Sequence, residues 1–268
     1  MRAGNRLGRH IATQLDAQID PTRLRYVRRT LRRWFAAHGR DLPWRRTRDP
    51  YRIMVSEILL QQTQVPRVAA VYEEFLAEFP TIDRVAKAPL RDVKRITDPL
   101  GYKIRGKWIK QIADEVVTYR AGQMPATTEE LRELPGVGRY TAGAIMTFAH
   151  ETPTPILDTN VARVLSRWFG GTLPRRDGSG ARSRRLWALA EAVLPQGNGA
   201  AQSGWAVNQA LMDLGAQVCT ARKPRCPTCP FRRRCHEVRE DGGRGERTVV
   251  RWVKRKSRPA HASERRGH

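Results

Sequence analysis

All four cysteines of the chain fall in one short segment near its end, which reads VCTARKPRCPTCPFRRRC. Cys219, Cys226, Cys229 and Cys235 follow a C-x6-C-x2-C-x5-C spacing. Thiols this close exceed what core packing asks for, and four of them can converge on one tetrahedral centre. A metal ion or an iron–sulfur cluster is therefore the expected occupant. Such a centre would hold a small loop in one shape whatever its intrinsic preferences. Six cations, Arg222, Lys223, Arg225, Arg232, Arg233 and Arg234, stand between the thiols, so the held loop would be strongly basic.

The rest of the chain shares that charge. Fifty Lys and Arg face 26 Asp and Glu, a net charge of +24, which favours a polyanionic partner through counterion release. Nucleic acid is the commonest such partner; the alternative is a merely arginine-rich soluble protein. No apolar run approaches membrane-spanning length, which argues against a membrane partner. The first residues, MRAGNRLGRH, lack the apolar stretch of a secretion signal. Clustered thiols without that signal point to a reducing compartment. The expected location is cytoplasmic and nucleoid-associated, and the expected state is a monomer.

Apolar residues recur at helical spacing through most of the chain, and no segment shows sustained period-two alternation. The predicted fold class is all-α. Helices are expected over Thr22–His38, Tyr51–Gln62, from near Pro66, and in two short pieces either side of Pro89. Further helices are expected over Arg105–Tyr119, from a capping box at Thr127–Glu130 to Leu134, and over Arg139–Ala149. The last three are Thr159–Phe169, Arg184–Val193 and Trp205–Leu214.

Leu134-Pro135-Gly136-Val137-Gly138 separates two of these helices. Its proline and two glycines permit a tight turn and a close backbone approach, and Arg139 follows as the next helix opens. Free N–H groups at that helix start make an anion site, as for a DNA phosphate; an ordinary glycine turn is the plainer reading. Asp158, in PILDTNVARVL, precedes a helix and is a natural N-cap. Glu57 sits in YRIMVSEILLQQTQV among apolar neighbours, sharing a helix face with Gln61 and Gln64. It belongs either to a polar surface stripe or to a partly buried face. Burial would raise its pKa and suit a general acid.

LPGVG between helices resembles the helix–hairpin–helix of the DNA glycosylase superfamily that includes endonuclease III. LPWRRTRDPYRIMVSEILLQQTQV resembles MutY-type adenine glycosylases, and the likeness continues through LGYKIRGKW, LPGVGRYTAGAI, ILDTNVARVLSR, NQALMDLGAQVC and the cysteine run. It covers roughly residues 41–236 with its markers in order. The resemblance implies base-excision repair of double-stranded DNA carrying a mispaired or damaged base. Adenine opposite 8-oxoguanine or G would be removed by hydrolysis of its N-glycosidic bond.

Within it, Glu57 protonates N7 of the extruded adenine, and Asp158 stabilises the oxocarbenium-like sugar. Asn160 stands beside that Asp. Tyr140 occupies the place of the Schiff-base Lys of bifunctional relatives; it cannot form an imine, which implies a monofunctional enzyme. Gln61 and Gln62 match residues where the base leaves the stack, and Tyr102 matches a tyrosine that wedges beside the opposing lesion; extrusion with a wedge is a step that duplex chemistry requires. DNA contacts are further implied at Leu134, Gly136, Val137, Gly138 and Arg139, and at Arg222, Lys223 and Arg225. The four cysteines match the ligands of a [4Fe–4S] cluster that fixes the basic loop rather than reacts. Two helical subdomains flanking a DNA cleft are implied: residues 44–155, with the hairpin, and residues 22–43 joined to 156–236, with the cluster loop. Residues 1–21 and 237–268 are expected to be flexible basic extensions.

The match has departures. Thr159 replaces a Gly after the Asp, and Lys103-Ile104 replace Tyr-Ala after Tyr102. The stretch after Cys235 is too short for the Nudix-like domain that follows in MutY, which leaves lesion preference open. WRRTRDPY, GRYT and RWFGG also resemble thymine and uracil mismatch glycosylases of the same superfamily. A non-catalytic damage-binding module and a zinc-stabilised nucleic-acid binder are the remaining readings. The first is opposed by the presence of both carboxylates. The second is opposed by the lack of paired C-x2-C spacing.

Overall fold

The computed structural model describes residues 19–173, 180–197 and 199–240; the expected flexible extensions, up to residue 18 and from 241 on, lie outside the described residues. Among the described residues the regular structure is entirely helical. The basic N-terminal arm is shorter than expected. Ile19 is already buried, and Asp20 caps the first helix by accepting a hydrogen bond from the Thr22 N–H.

That helix, α1 (Pro21–His38), buries Leu24, Val27, Leu31 and Trp34, one stripe at helical spacing. Next come α2 (Pro50–Leu60), α3 (Val65–Glu78), α4 (Ile82–Lys87), α5 (Leu90–Thr97), α6 (Ile104–Arg120), α7 (Thr128–Leu131) and α8 (Arg139–Phe148). The chain continues through α9 (Thr159–Trp168), α10 (Ala181–Ala192), α11 (Ala200–Gln217) and a short α12 (His236–Glu240).

The buried side chains form two apolar clusters. One runs from Leu42 to Ile156 and gathers α2–α8. The other combines α1 with α9, α10, α11 and the cysteine segment. Met212 packs against both, so α11 lies along the seam.

Several helix ends differ from the sequence expectation. α2 stops at Leu60, where Gln61 turns extended (ψ 121°) and Gln62 enters the left-handed region (φ 57°). Gln64 is the N-cap of α3, so Glu57, Gln61 and Gln64 do not share a helix face. The helix opened by the capping box at Thr127 lasts only to Leu131, because the chain turns at once into the hairpin. α11 starts a turn before Trp205 and runs on to Gln217. Its internal Gly204, a helix breaker by propensity, lies where a Cβ would come within 2.8 Å of Pro153 Cβ; close packing overrides propensity there.

Candidate active site and cysteine loop

α2 carries Glu57 into the protein. Its faces are apolar nearly all round, and Ile53, Met54, Val55, Ile58 and Leu59 are buried beside it. Glu57 is only 5% exposed, which settles the choice between stripe and buried face. It lines a cavity of about 870 Å³ together with Gln61, Gln62, Tyr140, Asp158 and Asn160. Six residues singled out in three separate sequence segments thus meet in one space.

Burial pushes the Glu57 carboxyl up from the ordinary 4.5 to about 7. A hydrogen bond from Tyr140 opposes the shift, the charge of Asp158 adds to it, and Arg45 opposes it again. The Tyr140 hydroxyl is pushed well above its usual value, first by burial and then by the two carboxylates. It therefore stays a hydrogen-bond donor at neutral pH, within reach of Met212 Sδ at 3.5 Å.

Asp158 is the N-cap of α9, so its bland role is real. Its Oδ1 accepts from the Val161 N–H at 2.6 Å and its Oδ2 from Asn160 Nδ2 at 2.9 Å. Negative charge is favoured at a helix N-terminus, and the two donors fix the carboxylate's orientation. Asn160 in turn accepts from Arg163 Nη2 at 2.8 Å. The same guanidinium reaches the Cys219 carbonyl (2.7 Å) and the Gly215 carbonyl (2.7 Å). Asp158 is thereby linked through two side chains to the cysteine segment.

Sequence reasoning missed Asp213, its partners Arg40 and Arg45, and Gln209. Asp213, 0% exposed on α11, binds Arg45 in a two-pronged ion pair (2.8 and 2.9 Å) and also holds Arg40. It anchors the PWRR segment that brings Arg45 against the cavity. Burial alone would raise the Asp213 carboxyl, but the hydrogen bonds and charge of Arg45 and Arg40 hold it below the usual range. Gln209, one helical turn earlier, lines the cavity, and among the described residues nothing hydrogen-bonds its buried Oε1. The available signal was a set of polar residues, Asn208, Gln209 and Asp213, inside an otherwise apolar helix.

The hairpin is as read in outline but not in every side chain. Gly136 adopts φ +74°, while Gly138 is extended, with open space where a Cβ would sit. Leu134 and Val137 are buried in the core, so the segment turns outward its backbone and the half-buried Pro135. Arg139 stacks over the Trp187 ring at 3.8 Å, tying α8 to α10. Tyr102 lies outside the cavity, edge-on to Trp108 at 5.7 Å.

In the cysteine loop, Cys219 and Cys235 are buried and Cys226 and Cys229 half-buried. Among the described residues no three His, Cys, Asp or Glu side chains are gathered as a single-ion site. The four thiols nonetheless act on one another. Burial first, then the neighbouring sulfurs, pushes Cys229 up to about 11, and Cys226 and Cys235 rise as well. The donor set is all sulfur, which suits zinc or iron–sulfur chemistry. Arg167 Nη1 donates to Cys219 Sγ at 3.3 Å, and backbone N–H groups of Phe231 and of Glu237 and Val238 point at Cys229 and Cys235. Such donors favour thiolates. Arg222, Lys223, Arg225, Arg232, Arg233 and Arg234 are exposed around them.

The pattern of the family described as HhH-GPD superfamily base excision DNA repair protein matches residues 55–192. The chain belongs to this superfamily. It is a DNA glycosylase, a hydrolase of N-glycosyl bonds, and its all-helical fold is the one this superfamily shares. A thymine-DNA glycosylase of Aeropyrum pernix is 35% identical over 219 residues, 81% of this chain and 96% of that protein. The human adenine DNA glycosylase is 40% identical over 226 residues, 81% of this chain but 40% of that protein. A solved thermostable thymine-DNA glycosylase superposes with a TM-score of 0.73 at 30% identity, over 82% of this chain and 100% of that one. No helix among the described residues is long and apolar enough to cross a membrane.

Proposed function

We propose that the chain is a monofunctional adenine glycosylase of the MutY type, removing adenine mispaired with 8-oxoguanine or G. The observation that carries this reading is Glu57, buried to 5% exposure in the cavity with its carboxyl pushed up to about 7. A purine leaves readily only when its ring nitrogen is protonated, and an acid poised near neutrality delivers that proton. Gln209 adds to the reading. Its buried Oε1, without a hydrogen bond among the described residues, suits an exocyclic amine, and a Gln side chain pairs naturally with the N6/N7 edge of adenine.

In the proposed sequence the target base turns out of the duplex into the cavity between the two cores. Glu57 gives its proton to N7. The C1′–N9 bond breaks, its electrons passing to the base. Asp158, held by Val161 and Asn160, faces the sugar cation and lowers its energy. Water adds at C1′ and the Glu57 carboxylate takes its proton. Tyr140 holds Glu57 and supplies no amine, so the strand is not cut by imine chemistry. Gln61, Gln62, Tyr102, the hairpin backbone and the exposed arginines would meet the DNA. Cys219, Cys226, Cys229 and Cys235 would hold a [4Fe–4S] cluster, whose contribution is to shape the basic loop.

A second reading, thymine or uracil removal opposite G, is favoured by the match along 96% of a thymine-DNA glycosylase. Single-turnover cleavage of a duplex panel separates them: A opposite 8-oxoguanine, A opposite G, T opposite G and U opposite G. Cleavage confined to the pyrimidine duplexes sinks the adenine reading. Asp158→Asn should abolish turnover and spare binding; retained turnover removes Asp158 from its role. Iron with acid-labile sulfide in the purified protein supports the cluster, and zinc without sulfide excludes it.

A further inference from the structure

We propose that the first turn of α6 is the seat of the base-extrusion surface, with Arg105 as its positioning residue. This rests on the glycosylase activity of the superfamily and on the reading above that Gln61, Gln62, Tyr102 and the hairpin meet DNA.

Those contacts come from three segments far apart in sequence, and all three converge on this turn. Arg105 is 0% exposed, and its Nη2 donates to the Gln61 carbonyl and to the Thr63 hydroxyl. Its backbone N–H donates to the Tyr102 carbonyl at 3.3 Å, and its guanidinium lies 5.5 Å from the centre of the Tyr102 ring. One turn on, Trp108 meets Tyr102 edge-on and lies against the hairpin so closely that a Cβ on Gly136 would fall 2.5 Å from its ring. Gln61 Nε2 closes the set by donating to the Gly136 carbonyl at 3.1 Å.

The strained residue lies in the middle of this arrangement. Gln62 is exposed at the rim of the cavity and is held at φ 57°, a left-handed conformation that costs an L-residue free energy and is kept where its surroundings hold it. Arg105 grips the residue on either side of it. The base beneath is stiff as well: a Cβ on Gly106 would come within 2.5 Å of Thr97 Oγ1, so α6 sits hard against α5. A buried guanidinium is a costly way to fill a core. Here its Nε and Nη1 have no hydrogen-bond partner among the described residues, and all its recorded hydrogen bonds go to the extrusion loops. Its contribution is therefore to hold Gln62 and Tyr102 ready to enter the space a departing base leaves.

The test compares Arg105→Met and Arg105→Lys with the unchanged protein on whichever duplex that protein cleaves. Each is also measured on the same strand with the target opposite an abasic site, where no pairing partner resists extrusion. Misplacing such a surface by an ångström costs about 100-fold. That loss is expected for Arg105→Met on the paired duplex, with most of the rate regained on the unpaired one and a partial return with Arg105→Lys. Fluorescence of 2-aminopurine at the target position reports extrusion without cleavage, so the outcome does not depend on which base is the true substrate. Equal losses on both duplexes, or unchanged extrusion fluorescence, overturn the proposal. Should Arg105→Met fail to fold, Arg105→Lys and Thr63→Val, which removes one acceptor, carry the same comparison.

Discussion

Two carboxyl groups of this protein are buried almost equally, yet they end in opposite chemical states. Glu57 lies in the apolar wall of α2 with, among the described residues, the Tyr140 hydroxyl as its hydrogen-bonding neighbour and Arg45 at a distance; its carboxyl rises to about 7. Asp213 lies on α11 behind the cavity lining, in the floor beneath Arg40 and Arg45, with two guanidinium groups and a backbone N–H upon it; its carboxyl falls. Burial sets the cost of charge in both places, and the partner decides whether the cost is met. The wall thus keeps a proton for chemistry. The floor keeps a charge for architecture, fixing Arg45 where it tempers Glu57 without neutralising it.

Replacing the wall's proton donor should have the largest effect. Glu57→Gln is expected to lower single-turnover cleavage by roughly 10²–10⁴-fold while duplex binding persists. Activity close to the unchanged enzyme would leave the wall without its catalytic role. Asp213→Asn attacks the floor and strands Arg45 in the interior, at an expected cost of about 3–5 kcal/mol in urea unfolding. Its surviving fraction should also show the alkaline limb of the pH–rate profile moved to lower pH, as Arg45 turns toward Glu57. An unmoved limb would show that wall and floor are not coupled.

The difference also has a pH signature. Glu57 titrates higher in the folded than in the unfolded chain, so its contribution to stability is complete below the ordinary 4.5 and is lost as the pH rises through about 7. The loss amounts to about 3 kcal/mol by pH 8. Asp213 works the other way, its contribution present above 3.8 and lost as the pH falls further. Denaturant titrations of Glu57→Gln should therefore lack the alkaline decline that the unchanged protein shows. Cleavage by the unchanged protein should fall about tenfold per pH unit above 7, the slope of a single acid in its protonated form. The smallest effect is at the surface: Arg222→Gln should reduce the salt dependence of DNA binding by about one counterion and leave the catalytic rate unchanged.

Much of this could be read from the linear chain. The apolar stripe of α1 and the N-cap at Asp158 follow from spacing and residue type, both being local properties. Glu57 stood out because a carboxyl among Ile53, Val55 and Ile58 is anomalous on any helix. Gln61 was misplaced on a helix face because nothing local announces that α2 ends at Leu60. Gln62 turns left-handed between two residues that Arg105, 43 residues away in the chain, holds by hydrogen bonds. Leu134 and Val137 were given to DNA although they face the core, since a hairpin's sequence does not say which of its atoms look outward.

The sequence by itself determined the helices, the thiol-and-arginine loop and the identity of the two carboxyls proposed to act, because periodicity, composition and motif are written in neighbouring residues. Only the tertiary structure decided that Glu57 is buried deeply enough to hold a proton near neutrality and that Asp213 holds Arg45 close by. It alone put Gln209 in the cavity wall, with no hydrogen bond to its oxygen among the described residues. Those outcomes depend on desolvation and on charges brought together across more than a hundred residues, and neither quantity exists until the chain has folded.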